Sequence, residues 1–170
     1  MKRNISKTVI VVFAVVALVV LVVLGVQYLE YRTQAEAEVT ATDASKLVDF
    51  VDGSSVELAP NSSIKYSNYF NEKGRFVELL SGAGNFTVVN EKGRFRIKTV
   101  REIVTVLESE NPTVFSINFS ESQTVIKVDE GKVNVRQNAR KQGQTDMKSL
   151  KVIAGEEVIS SDDRIELVLD

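Results

Sequence analysis

Cysteine, histidine and tryptophan are all absent from this chain of 170 residues, and proline occurs only twice. Without cysteine, the chain can form no disulfide, no thiolate nucleophile and no cysteine-based zinc site. Without histidine, it lacks the commonest general base and the commonest metal ligand. These absences argue against an enzyme, and we expect neither a catalytic site nor a cofactor.

A strong excess of one charge is also missing. The chain carries 21 Lys and Arg against 23 Asp and Glu, which gives a formal net charge of −2. Domains that bind nucleic acid are typically much more basic than this. The 44% hydrophobic and 26% charged residues are typical of a globular domain. We therefore expect a folded domain without a nucleic-acid partner.

A long apolar run occupies the N-terminal part of the chain. The eighteen residues 9–26 include no polar side chain, and the 22 residues 8–29 carry no charge. At about 1.5 Å per residue, a helix over this uncharged interval reaches roughly 33 Å, which matches a hydrocarbon core of about 30 Å. We predict a membrane-spanning helix over 8–29, because a helix satisfies its own backbone hydrogen bonds in lipid.

The flanks of this run indicate its orientation. Basic residues precede it and mainly acidic residues follow it, namely Lys2, Arg3 and Lys7 before it and Glu30, Arg32, Glu36 and Glu38 after it. The positive-inside rule then places residues 1–7 in the cytoplasm and the rest of the chain outside. A cleaved signal peptide is the alternative, since Ala35 and Ala37 flank a possible cleavage site. The length of the run favours an uncleaved anchor.

The remaining sequence divides into a linker and a strand-rich domain. Residues 30–46 are mostly small and polar, and we predict that they form a linker. Over 47–170, apolar side chains alternate with polar ones in short runs rich in Val, Ile, Thr and Phe. This period of two is typical of strands with one buried face. We predict an all-β domain of about ten short strands over 47–170.

The hexapeptide NEKGRF occurs twice, over 71–76 and 90–95. In each copy a polar stretch leads into a run that begins with Phe76 or Phe95. We interpret the repeat as one turn type followed by a buried aromatic side chain, because the two following sequences differ and neither copy has a partner acid or nucleophile. The spacing suits coils of a β-solenoid, and meandering hairpins of a jelly-roll-like fold would give nearly the same spacing.

Two groups of charged residues are candidate sites. A basic cluster lies at and after the second hexapeptide and comprises Arg94, Arg96, Lys98 and Arg101. The first three alternate with apolar residues and so share one strand face, which is either a solvated face or a surface for acidic partners. The later run of Arg136, Arg140 and Lys141 is predicted to be a hydrophilic loop.

Three acidic pairs are possible oxygen ligands for a hard cation, namely Glu108 with Glu110, Asp129 with Glu130, and Asp162 with Asp163. None of them has the spaced acidic pattern and central glycine of a calcium loop. We interpret the pairs as solvated loops and expect no metal site.

Several motifs follow one another in a recognisable order. The chain reads DGSSVELAPNSS from Asp52, LLSGAGNFTV from Leu79, RFRIKTV from Arg94 and VDEGKVNV from Val128. Over about 47–160 this order resembles the FecR-type periplasmic domain. The resemblance implies a single-span regulator whose outer domain senses the state of an outer-membrane TonB-dependent receptor and whose cytoplasmic segment controls a sigma factor. One departure is the acidic loop 108–113, where the family commonly has a Gly-Thr turn.

The resemblance also implies a location. We expect a single-pass protein of the inner membrane with its N-terminus in the cytoplasm and its β domain in the periplasm. Residues 1–7 are too few for a sigma-binding domain, so we expect no direct sigma-factor binding. We expect a non-enzymatic protein that binds an envelope protein in transmembrane signal relay, with strand addition at a sheet edge as the contact mode. The alternative is a structural envelope module that binds cell-wall glycan or anionic lipid through the basic face.

Overall fold

The computed structural model describes residues 7–33, 36–67, 70, 74–90, 93–138, 149–161 and 164–168. Within the N-terminal helix it describes the side chains of residue 13 and of residues 15–28. The chain divides into two compact units, with the boundary between Ala35 and Glu36.

The first unit contains helix α1, Lys7–Thr33. The described side chains of α1 are exposed within this chain, and most of them are valine or leucine. The predicted membrane span over 8–29 is not found: in the part of the chain that the structure describes, no helix combines the length and the apolarity needed to cross a membrane.

The second unit is built from strands, which confirms the all-β prediction. The described residues form thirteen strands rather than about ten: β1 Glu36–Ala41, β2 Lys46–Asp49, β3 Ser55–Leu58, β4 Ser62–Ser67, β5 Arg75–Val88, β6 Phe95–Lys98, β7 Glu102–Val106, β8 Thr113–Phe119, β9 Gln123–Glu130, β10 Lys132–Gln137, β11 Ser149–Ile153, β12 Glu157–Ser161 and β13 Ile165–Val168.

Strand β5 joins two halves of the sheet, which we name the first and second sheets. Its first part pairs with β4 and β6, and its second part pairs with β3 and β8. The strand order is β1-β4-β5-β6-β7-β10-β11 in the first sheet and β2-β3-β5-β8-β9-β12-β13 in the second. Gly82 lies where β5 passes from one sheet to the other, with a φ of 77° that favours glycine.

The pairing pattern separates the two folds that the repeat spacing allowed. Strands β5 and β6 are parallel, whereas the other eleven pairs among the described strands are antiparallel. Coils of a solenoid would stack their strands in parallel. The domain therefore corresponds to the hairpin alternative, in which antiparallel neighbours build both sheets.

The hydrophobic core is lined by the inward-facing side chains of both sheets. Phe50, Phe70 and Phe95 form an aromatic cluster, with ring centroids 4.6 Å apart for Phe50 and Phe70 and 5.6 Å apart for Phe70 and Phe95. A second aromatic pair, Phe86 and Phe115, stacks with centroids 5.3 Å apart. These rings are almost fully buried. The apolar side chains of the predicted alternation therefore mostly face one continuous core.

One predicted boundary is wrong. Residues 36–41 were expected to belong to the linker 30–46, but they form β1, which pairs with β4. Ala41 is buried and Val39 packs against the core. In EAEVTA, apolar and polar residues alternate as they do in a strand. Two of the three apolar residues are alanine, so the sequence also resembles a polar linker. The β domain thus begins before residue 47.

Candidate interaction surface

The outward face of the first sheet carries a row of polar side chains across four strands. Arg96 on β6 lies opposite Thr105 on β7, Thr105 lies opposite Asn134 on β10, and Asn134 lies opposite Lys151 on β11. Side chains at paired positions point to the same face of a sheet. Arg96 and Lys151 therefore mark the two ends of one row.

A groove of about 860 Å³ lies over this face. Six cationic side chains line it, and one of them, Arg75, is buried. The other five define what we name the basic groove: Arg94, Arg96, Lys132, Arg136 and Lys151. Glu108 is the one acidic side chain among the described residues that line it. Ile103 and Leu107 are half-buried and contribute apolar surface. The groove thus combines a positive charge with a partly apolar floor.

The five cations of the basic groove lack local compensation. Arg94, Arg96, Arg136 and Lys151 are exposed, and Lys132 is half-buried. Within the described part of the chain, none of the five forms an ion pair. Unpaired cations on one face produce a positive potential that attracts acidic groups.

A buried ion pair adjoins this groove, because one of its partners, Arg75, is also a lining residue. Arg75 and Asp52 form an ion pair in which Arg75 Nη2 lies 2.6 Å from Asp52 Oδ2, and both side chains are almost fully buried. Arg75 Nε donates to the same oxygen at 2.6 Å. The Ser54 hydroxyl donates to Asp52 Oδ2, and the Ser54 amide donates to Oδ1. A buried ion pair is stable only when further hydrogen bonds satisfy it, and this one is well satisfied.

The buried pair also holds backbone groups that line the basic groove. Arg75 donates to the carbonyl of Val89 at 2.7 Å and to that of Gly93 at 3.4 Å. Asn90, which lies between them in the sequence, donates its side-chain amide to the carbonyl of Ser109, and both residues line the groove. The lining residues Val89 and Gly93 are therefore tied to a buried side chain, and Ser109 is tied to Asn90.

A family model described as FecR protein matches residues 36–134, which is more than half of the chain. The chain belongs to the FecR protein family. The resemblance carried by the sequence motifs is confirmed. The matched region begins at residue 36 rather than 47, in agreement with the position of β1.

Two crystal structures of a proposed anti-sigma factor from Parabacteroides distasonis ATCC 8503, at 2.50 and 1.65 Å resolution, are similar to this FecR family member. Each has a TM-score of 0.64 and 22% identity, and the match covers 78% of this chain and 58% of the anti-sigma factor. At this identity the likeness shows a shared fold. The chain spans less than two thirds of the length of that protein. None of the curated proteins matches this sequence.

The four basic residues that were predicted to form one cluster have different surroundings in this FecR domain. Arg94 and Arg96 line the basic groove. Lys98 shares their face but forms an ion pair with Glu78 at 2.5 Å. Arg101 lies in the turn after β6, donates to the carbonyls of Ser120 and Glu121, and stacks over a ring of β8. Arg101 therefore anchors a turn and does not belong to the groove.

Sequence reasoning missed three members of the groove. Arg136 was assigned to a loop but lies on β10 together with Lys132, and Lys151 lies on β11. Their alternation with apolar residues predicts a polar face for each strand. It does not predict that β10 lies next to β7 and β11 next to β10, which completes the face that Arg96 begins.

The other predicted features have mixed outcomes. Glu108, Glu110, Asp129 and Glu130 are exposed, and the described residues contain no group of three or more acidic, His or Cys side chains that could hold a metal ion. The following residues lie outside the described part of the chain: Asp162 and Asp163 of the third acidic pair, Arg140 and Lys141 of the predicted loop, and 71–73 and 91–92 of the two hexapeptides.

The two hexapeptides do not play the same role in the domain. Phe95 is buried as predicted, with 1% of its surface exposed, but Phe76 is 37% exposed. In the first copy Arg75 is buried in place of the phenylalanine. The prediction of one buried aromatic per copy is therefore wrong for Phe76.

Proposed function

We propose that this FecR family member is a non-enzymatic signalling regulator that acts by binding another protein of the cell envelope. The observation that carries the proposal is the basic groove, a set of five cations on one sheet face that are unpaired among the described residues. Family membership and the fold shared with a proposed anti-sigma factor support a role in signalling. Residues suited to catalysis are scarce, since the chain has neither cysteine nor histidine.

We also propose that the chain is anchored in the inner membrane by its N-terminal segment, with the β domain in the periplasm. The uncharged sequence over 8–29 and the exposed valines and leucines of α1 support this anchor. The basic residues before the run support a cytoplasmic N-terminus. Proteinase K should digest the β domain in spheroplasts and spare it in intact cells. Protection in both preparations would place the domain in the cytoplasm and contradict the proposal.

The signalling role is tested by gene deletion and complementation. Deletion should change the abundance of a reproducible set of transcripts, and the wild-type chain should restore them. A chain with both Arg96→Glu and Lys151→Glu should not restore them, whereas the Lys127→Glu chain should, because Lys127 lies on the second sheet opposite Glu157. An unchanged transcript profile after deletion would contradict a regulatory function.

A second candidate function follows from the same groove. Cell-wall glycan and anionic lipid both carry negative groups that could meet its cations, so a structural envelope module is the alternative. The full chain in neutral detergent should then sediment with purified peptidoglycan or with anionic liposomes. Arg94→Glu and Arg96→Glu should abolish that sedimentation. Sedimentation that these changes leave unaltered would exclude the basic groove as the binding surface.

A further inference from the structure

We propose that the basic groove binds an extended acidic segment of its protein partner, with acidic side chains about four residues apart. The inference rests on the proposed protein-binding function and specifies the chemistry of the partner at one surface. It follows from the spacing of the cations, the shape of the groove and the groups on its floor.

The backbone positions of the cations are spread across the face and are not grouped around one point. Arg96 and Lys151 lie at the ends of a row that spans three strand spacings, which is about 14 Å. Lys132 and Arg136 are four residues apart on the same face of β10, which is about 13 Å. A single phosphate or carboxylate contacts cations within about 4 Å of its oxygens. The groove therefore suits a ligand with several negative groups in a line.

An extended peptide has the matching repeat. Alternate side chains of a strand point to one side, and residues four apart are about 13 Å apart along the chain. Acidic residues at two such positions would reach Arg96 and Lys151 together. The intermediate position would lie over Thr105 and Asn134, whose side chains can exchange hydrogen bonds with the peptide backbone.

The shape of the groove favours a peptide over a lipid surface. Two short stretches that line the groove, residues 89–90 and residues 107–109, are joined by the hydrogen bond between Asn90 and Ser109. A flat bilayer cannot enter such a groove, whereas a single extended chain can. Ile103 and Leu107 give the uncharged side chains of a peptide an apolar contact.

The experiment measures the binding of a fluorescent nine-residue peptide with glutamate at positions 3 and 7 and threonine or serine elsewhere. The full chain is kept in neutral detergent, and fluorescence anisotropy reports binding at two salt concentrations. We expect saturable binding that weakens as salt increases, because exposed charges are screened. A peptide with lysine in place of both glutamates should not bind.

Matched variants locate the binding surface. Arg96→Glu combined with Lys151→Glu should weaken binding at least about tenfold, since two attractions become repulsions. Lys127→Glu should leave the affinity unchanged, because Lys127 lies on the second sheet. Circular dichroism of each variant should match that of the wild type, so that a loss of binding reports the surface and not the fold.

Three outcomes would overturn the inference. They are the absence of saturable binding, an equal loss in the Lys127→Glu variant, and displacement of the peptide by dihexanoylphosphatidylglycerol but not by dihexanoylphosphatidylcholine. The deletion experiment above is independent of all three. Restored transcripts together with absent peptide binding would reject the acidic segment and retain the regulatory function.

Discussion

Arg75 and Phe95 lie side by side in the parallel strands β5 and β6, and both side chains point into the domain. Arg75 also lies under the ring of Phe95, with its guanidinium carbon 5.2 Å from the ring centroid. The repeat in the sequence would instead align Phe95 with Phe76. The two copies of the hexapeptide are therefore paired with a shift of one residue, and a shift of one residue reverses which side chains face the core.

The shift predicts that the same substitution has a large effect in one copy and a small effect in the other. Phe95→Ala should lower the free energy of unfolding by about 3–5 kcal/mol, because it removes a buried ring from the aromatic cluster. Phe76→Ala should cost less than about 1 kcal/mol, because Phe76 is 37% exposed. Urea unfolding of the full chain followed by circular dichroism gives both values. Equal losses at the two positions would contradict the register.

The buried ion pair gives a second comparison. Asp52→Asn leaves the charge of Arg75 buried without a counter-charge, so we expect a loss of about 3–5 kcal/mol in unfolding free energy. Glu78→Gln breaks the more exposed pair with Lys98 and should cost at most about 1 kcal/mol. Urea unfolding followed by circular dichroism gives the loss of unfolding free energy for both variants. Equal losses of unfolding free energy in Asp52→Asn and Glu78→Gln would contradict the buried ion pair.

Substitution of Gly82 tests the close approach of β5 to Ser62 at the point where β5 passes from one sheet to the other. A Cβ at this position would lie 2.2 Å from the Ser62 hydroxyl and 2.9 Å from the Ser62 Cα, so the backbone must move. Gly155 has a similar φ of 87° but open space around it. Gly155→Ala should cost about 1–2 kcal/mol from the backbone conformation alone. Gly82→Ala should cost about 1–3 kcal/mol more, and similar thermal stabilities of the two variants would contradict this close approach.

Lys65 provides a prediction for alkaline pH. The hydrogen bond to Glu36 and the negative charge of Glu36 raise the pKa of Lys65 above its ordinary value of 10.5. NMR of labelled lysine should show this raised pKa, and Glu36→Gln should lower it, because Glu36 is the largest cause. Because the folded pKa is the higher one, the contribution to stability is fully present below pH 10.5 and disappears as the pH rises through the folded pKa. An unchanged Lys65 pKa in the Glu36→Gln variant would contradict the pairing of β1 with β4.

Much of the fold can be predicted from local patterns in the sequence. The alternation around Phe95 and Phe115 predicts buried strand faces, and both rings are buried. Membership of the FecR family follows from the order of short motifs. Strand β1 was missed because Ala37 and Ala41 are small, so its alternation resembles that of a polar linker.

The candidate site is less predictable, because it depends on which strands become neighbours. Arg94 and Arg96 can be placed on one face from the sequence, but Lys151 joins them only through the pairing of β7, β10 and β11. The burial of Arg75 depends on the register between β5 and β6. Glu102 is similar, since its carboxylate is fully buried and accepts a hydrogen bond from Thr99 at 2.7 Å. Its charge alone predicts an exposed position.

Photo-crosslinking in living cells tests most directly whether the first sheet meets the partner. A photo-reactive amino acid replaces Arg96 in one full-length chain and Lys127 in another, and the adducts are compared. We predict one discrete protein adduct from position 96, reduced by Lys151→Glu, and no such adduct from position 127. The same adduct from both positions, or an adduct from position 127 alone, would contradict the basic groove as the interaction surface.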